Sequence, residues 1–188
     1  MGQNQHALVA FDTLFKTLER QGTPPATIIE LGTSHGGFSV FLHLYALVSG
    51  ARFITYDRPG FVPTYHELFT QLQVDYRQAD VLNDHSTIAE IAALIASPGQ
   101  TLLLCDNGDK VREFALYAQF LKAGDLILAH DYCVDQQTFE WDYRDRIWSF
   151  CEVMQADIEP ICRQHNLQPF LQEVMAPAVW ACRRKQSG

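Results

Sequence analysis

Residues 27 to 60 read TIIELGTSHGGFSVFLHLYALVSGARFITYDRPG. The apolar run Thr27-Ile28-Ile29 reaches Glu30 and breaks into a glycine-rich turn at Gly32, Gly36 and Gly37. It resumes from Phe38 to Val48 as an apolar segment long enough for a helix, and after Gly50 a second strand-like run, Arg52 to Tyr56, ends on Asp57. Strand, glycine turn, helix, strand and acid in this order predict a small-molecule pocket at the carboxyl edge of a parallel sheet. Glycines let a ligand approach the backbone, and an acid after the second strand can hold a ribose diol.

The flanking chain repeats the alternation. Leu8, Phe11, Leu14, Phe15 and Leu18 recur at helical spacing within residues 5 to 20, so an N-terminal amphipathic helix occupies residues 1–22, stopped by Gly22 and Pro24-Pro25. Helices are expected near Tyr65 to Leu72, over Ile88 to Ile95 and over Val111 to Leu121. Strands are expected over Ala26 to Leu31, Val74 to Gln78, Thr101 to Cys105 and Leu126 to Ala129. Three of these, Ala26 to Leu31, Thr101 to Cys105 and Leu126 to Ala129, are near-continuously apolar, as a parallel strand covered on both faces requires. Residues 133–166 break the rhythm, with Trp141, Tyr143, Trp148 and Phe150 and a helix expected from about Arg146 to His165. A segment of that length reads as an insertion that covers the carboxyl edge as part of a substrate wall. Gln168 to Val174 and Ala178 to Arg183 read as two strands of a terminal hairpin. The expectation is one α/β domain over 1–188, a Rossmann-like, mostly parallel seven-stranded sheet with helices on both faces and an antiparallel C-terminal hairpin.

Composition narrows the partners. The net charge of -8, without a block of like charges, argues against a phosphate backbone as the main partner, so no nucleic acid is expected. No apolar run approaches the roughly 18 residues that a membrane span needs, and Met1 to Arg20 lacks the apolar centre of a signal peptide; a cytoplasmic protein without a membrane partner is the expectation. Five cysteines without a C-x-x-C pair point to reduced, mostly buried thiols rather than a zinc site or disulfide framework. The N-terminal helix could pack on a second subunit, giving a homodimer, as readily as on its own sheet.

Every expected strand end is polar: Glu30 with the glycine turn, Asp57, Asp80, Asp106 and His130-Asp131. A dinucleotide fold wants G-x-G-x-x-G for a pyrophosphate. Here the turn reads E-L-G-T-S-H-G-G, lacks the second glycine and places a carboxylate before the turn. That acid disfavours pyrophosphate and suits a ligand bearing an ammonium group.

On these residues the chain resembles the class I S-adenosylmethionine-dependent methyltransferases. The resemblance implies that Glu30, Gly32, Thr33, Ser34, Gly36 and Gly37 form the first motif, that Asp57 holds the ribose with Arg58 beside it in the cofactor site, and that Asp80-Val81 lies beside the adenine. Leu104-Cys105-Asp106-Asn107-Gly108-Asp109-Lys110 and Leu121-Lys122-Ala123-Gly124-Asp125-Leu126-Ile127-Leu128-Ala129-His130-Asp131-Tyr132 are similar to strand motifs of the cephalosporin-hydroxylase-like and catechol-type O-methyltransferase branches. There, acids at both strand ends bind a divalent metal, which implies Asp106 and Asp131 as ligands of Mg2+; His130 departs from the acid common at its position. The implied activity is transfer of a methyl group to a small-molecule hydroxyl, with Asp106, His130 and Asp131 serving the acceptor and His130 able to act as general base. Successive residues on a strand point to opposite faces, which sets His130 and Asp131 apart. A solvent-facing role for His35 and a salt bridge from Lys110 to Asp106 or Asp109 are expected. Two other readings stay open: a catalytically silent nucleoside-binding or partner-binding domain, and an NAD(P)-dependent oxidoreductase, which the missing G-x-G-x-x-G disfavours.

Overall fold

Burial on both faces explains the centre of the sheet. In a computed structural model, which describes Gln3 and residues 6–188, strand β1 (Pro25–Leu31) is inaccessible from Thr27 onward. It pairs in parallel with β2 (Arg52–Asp57) on one side and β4 (Gln100–Cys105) on the other, so that Glu30 lies opposite both Thr55 and Leu104. Strand β3 (Asp75–Gln78) extends the sheet beyond β2, and β5 (Leu126–Ala129) extends it beyond β4, both in parallel. The far side is closed by β9 (Ala181–Lys185), antiparallel to β5, and β8 (Leu167–Pro169), antiparallel to β9. The order is β3-β2-β1-β4-β5-β9-β8. A two-residue ladder pairs β6 (Tyr132–Cys133) with β7 (Val153–Met154).

Strand alternation divides the core into two layers. Ile29, Leu31, Ile54, Tyr56, Leu103, Cys105, Ile127 and Ala129 face α4 (His85–Ala96), α5 (Lys110–Ala118) and α7 (Gln155–Gln164). Ile28, Phe53, Leu102, Leu104, Leu126 and Leu128 face α1 (Ala7–Arg20), α2 (Gly37–Ser49) and Trp180. Helix α1 therefore packs on its own sheet, burying Ala7, Ala10, Phe11, Leu14, Phe15 and Leu18, while Leu8 is 53% exposed and lies off the face assigned to it. Helix α3 (His66–Leu72) buries Phe69 beside the glycine turn. No helix among the described residues is long and apolar enough to cross a membrane. All five cysteines are free thiols, four of them buried.

Two segments differ from expectation. Helix α7 starts at Gln155, not near Arg146, because the Met154 N–H donates to Asp157 at 2.8 Å and fixes the first turn there. Before it, α6 (Gln136–Thr138) runs into a π-turn over Phe139–Tyr143. The terminal hairpin is shorter than read. Leu171 and Val179 adopt left-handed conformations, and α8 (Gln172–Met175) with a 3-10 turn at Ala176–Ala178 occupies the stretch between them. Helix α5 likewise ends at Ala118, before Leu121.

Candidate active site

The glycine turn is set by contact with the neighbouring strand end. Gly32 has φ +104°, and a Cβ there would lie 2.2 Å from the Asp106 carbonyl oxygen, so only glycine lets the turn rest on that backbone. The Gly32 and Thr33 N–H groups both donate to the Tyr56 carbonyl, at 2.8 and 3.2 Å. Ser34, at φ +50°, donates its N–H to Asp57 Oδ2 at 2.8 Å, while the Arg58 N–H donates to Asp57 Oδ1 at 2.8 Å. Asp57 thus pins the turn to the end of β2, and the Arg58 guanidinium lies over the Phe61 ring. Gly36 packs on the Phe69 ring and Gly37 opens α2.

Glu30 sits beneath this turn rather than in an open cleft. It is 2% exposed, and its Oε2 accepts hydrogen bonds from Ser39 Oγ at 2.5 Å and Thr55 Oγ1 at 2.6 Å. Burial pushes its carboxyl pKa up to about 8, against the lowering effect of the two hydroxyls. Thr33 Oγ1 joins the group through Thr55 Oγ1 at 2.6 Å. Asp80 is exposed, and its Oδ1 accepts from the Leu82 and Asn83 N–H groups, both at 3.0 Å. The Asn83 side chain, then these backbone bonds, hold the Asp80 carboxyl below its ordinary range. Val81 is buried and its carbonyl accepts from the Tyr117 hydroxyl at 2.5 Å. His35 is exposed, with Nδ1 2.9 Å from Thr64 Oγ1.

The other strand ends converge. A regular strand would send His130 and Asp131 to opposite faces, yet Asp131 has φ +55° and turns its carboxylate back. His130 Nδ1 consequently lies 3.0 Å from Asp106 Oδ1 and 3.3 Å from Asp131 Oδ1. The imidazole is 3% exposed, with the Trp180 and Trp148 rings at centroid distances of 4.6 and 5.3 Å, and its Nε2 has no hydrogen-bond partner among the described residues. Trp148 Nε1 donates to Asp131 Oδ1 at 2.5 Å, and Lys110 Nζ donates to Asp131 Oδ2 at 2.9 Å. Lys110 also reaches Glu152 at 2.6 Å and the Asn107 carbonyl at 3.2 Å, and stands 3.8 Å from Asp106. Its partners are therefore Asp131 and Glu152 before Asp106, and not Asp109, which caps α5 by accepting from the Arg112 N–H. Burial alone would lower the Lys110 pKa; the surrounding carboxylates outweigh it and raise it.

A cleft of about 230 Å³ is lined by Gln3, Ser34, Asp106, Lys110, His130, Asp131, Trp148, Phe150 and Glu152. It joins the glycine turn to the β4 and β5 ends. Of the residues read as cofactor-binding only Ser34 is in its lining; Glu30, Gly32, Thr33, Gly36, Gly37, Asp57, Arg58, Asp80 and Val81 are not, and neither is Trp141, 66% exposed. Four contributors escape a reading of the sequence. Gln3 donates to Asp106 Oδ2 at 3.1 Å and accepts from Trp180 Nε1 at 2.9 Å. Glu152 and Trp180 are joined to the site only by the fold. Glu113, fully buried, accepts from the Asn107 and Asp109 N–H groups at 3.3 and 3.4 Å and so braces the loop behind Asp106; burial pushes it up to about 7. A signal for Glu113 existed: it lies one helical turn after Lys110 on a helix face directed at the sheet.

Asp106, His130 and Asp131 hold ligand atoms within 4.8 Å of one another, a spacing that one metal ion could bridge. The donor chemistry does not suit Mg2+, which takes oxygen ligands and water. One of the three donors is an imidazole nitrogen, already turned onto both carboxylates, and Asp131 is taken up by Trp148 and Lys110. The Lys110 ammonium stands 2.9 Å from Asp131 and 3.8 Å from Asp106, so a divalent ion on these carboxylates would have to share them with a like charge.

No protein-family model and no curated protein matches the chain. Among solved structures, the apo form of CmcI matches with a TM-score of 0.64 at 16% identity, over 100% of this chain and 74% of that one. The chain shares the fold of that structure. CmcI with Mg and SAM matches with a TM-score of 0.59 at 16% identity, over 98% of this chain and 73% of that one. Geranyl diphosphate C-methyltransferase from Streptomyces coelicolor, in complex with Mg2+, geranyl diphosphate and S-adenosyl-L-homocysteine, matches with a TM-score of 0.52 at 11% identity, over 93% and 79%. In this chain the antiparallel β9 follows the last parallel strand, and the glycine turn, Asp57 and the Asp106-His130-Asp131 cluster share the carboxyl edge where open α/β sheets bind ligands.

Proposed function

We propose that the chain is an S-adenosylmethionine-dependent methyltransferase that acts on a hydroxyl of a small molecule. The observation that carries the oxygen acceptor is the state of His130: Nδ1 is held by Asp106, Nε2 is buried and unpartnered among the described residues, and the residue lines a cleft that also reaches Ser34 of the glycine turn.

When bound, the cofactor supplies a methyl group already made electrophilic by its sulfonium. The backbone of Gly32, Thr33, Ser34, Gly36 and Gly37 accommodates the methionine part, with Glu30 holding the turn from beneath through Ser39 and Thr55. Asp57 and Arg58 serve the ribose, and Asp80-Val81 the adenine side. With the cofactor bound, His130 would hold the proton that the acceptor hydroxyl gives up, its buried Nε2 being the ring nitrogen without a partner among the described residues. Asp106 fixes the tautomer by accepting at Nδ1, and Asp131 accepts from Trp148 to seat the aromatic wall. Residues 133–166 cover the cleft through Trp148, Phe150 and Glu152, exclude water and position the acceptor. The donor set gives no support to a step through Mg2+.

Methyl transfer from labelled cofactor to a panel of small phenols, sugars and polyketide alcohols tests this reading. Transfer to at least one hydroxyl compound is expected. Cofactor binding without transfer to any acceptor, oxygen or nitrogen, points instead to a silent binding domain.

A further inference from the structure

We propose that Lys110 occupies, as a covalently tethered cation, the place a divalent ion would take, so that the site works without a bound metal. The inference deepens the methyltransferase reading and rests on it for its catalytic part alone; its binding part stands on geometry.

The ammonium is 6% exposed and faces an all-oxygen shell: Glu152 at 2.6 Å, Asp131 at 2.9 Å, the Asn107 carbonyl at 3.2 Å and Asp106 at 3.8 Å. A lysine has three N–H donors, and the three nearest oxygens use all of them. This is the kind of shell an oxygen-seeking ion gathers, built from the same two carboxylates that close the candidate metal cluster. The position follows from local structure: Lys110 is the first residue of α5, after the Asp109 cap, which sets its stem beneath the ends of β4 and β5. The cation also ties two parts of the chain together. Glu152 belongs to the covering segment, whose Glu152 and Val153 N–H groups donate to the Asp131 carbonyl, so one ammonium joins that segment to the sheet edge. A hydroxyl losing its proton to His130 would develop its negative charge in a cleft where, among the described lining residues, Lys110 is the fixed ammonium, beside the imidazolium that His130 becomes.

Titration of the full chain with Mn2+, read as loss of the free-ion electron paramagnetic resonance signal, tests the proposal. The native protein is expected to show no saturable site to millimolar Mn2+. Lys110→Met leaves three carboxylates without their cation and is expected to gain one, at least about tenfold tighter; Lys110→Arg, which keeps the charge, is expected to gain none. Methyl transfer by the native protein should be unchanged after exhaustive chelation. A micromolar Mn2+ site on the native chain, or activity lost to chelation and restored by Mg2+, overturns the proposal. If Lys110→Met fails to fold, as judged by circular dichroism, the native titration decides. Absence of cofactor binding would instead sink the methyltransferase reading, and the Mn2+ result would still stand.

Discussion

Nδ1 of His130 lies 3.0 Å from Oδ1 of Asp106, across the boundary between two neighbouring strands. The pairing leaves Nε2 buried between two indoles without a partner among the described residues, the atom to which the proposed mechanism gives the acceptor's proton. His130→Ala should therefore lower methyl transfer by about 10²- to 10⁴-fold while leaving cofactor affinity within about threefold of native. Parallel turnover and equilibrium-binding measurements separate the two effects. A variant that loses both equally would assign His130 to the fold instead.

Gly32 couples the glycine turn to the same strand end. Alanine there would adopt a left-handed φ and place its Cβ 2.2 Å from a backbone oxygen that cannot swing away. Gly32→Ala is expected to cost at least about 2 kcal/mol of stability, measured by urea denaturation, and to abolish cofactor binding. Alanine at Gly50, where nothing lies within 4 Å but φ is +74°, should cost only about 1 kcal/mol.

Glu30 makes stability depend on pH. An unfolded glutamate releases its proton near 4.5, whereas the folded carboxyl holds it to about 8. The folded state binds more protons in that window, so this contribution is fully present below 4.5 and is lost as pH rises through about 8. The slope reaches about 1.4 kcal/mol per pH unit for one proton. Glu113, pushed up to about 7, acts with the same sign over the lower part of the window. Glu30→Gln should be less sensitive than native to a shift from pH 5 to pH 8. Equal losses in both proteins would mean that Glu30 is charged in the fold.

The central strands were legible because burial on both faces leaves a run such as Thr101 to Cys105 with almost no polar residue. The acids at their ends were legible for the complementary reason, since a polar residue ending such a run must lie at the edge. The joint position of His130 and Asp131 was not, because strand alternation presumes regular backbone and Asp131 leaves it. Lys110 and Glu152 are 42 residues apart, so no local pattern announces their ion pair. The aromatic and charged stretch before Gln155 resembled a helix, but Trp148 is held by Asp131, a contact made by tertiary structure that helical periodicity does not contain. Leu8 fits the apolar stripe by spacing alone, while Ala7 and Ala10, small enough for close approach, take the buried positions.

Trp148 offers a narrower test of the covering segment. Trp148→Phe keeps an aromatic ring but removes the N–H that donates to Asp131. A hydrogen bond to a carboxylate is worth about 1.5 to 3 kcal/mol, so turnover should fall by about tenfold or more through misplacement of Asp131 and the segment. Unchanged kinetics would show that the indole nitrogen has no part in seating the wall.

Calorimetric titration of the purified protein with S-adenosylmethionine tests the central assignment most directly. One saturable site per chain is expected, with affinity lowered at least about tenfold in Asp57→Ala, because Asp57 pins Ser34 of the turn and is the residue proposed to serve the ribose. The absence of saturable binding to the folded native protein, or binding untouched by the loss of Asp57, would contradict it.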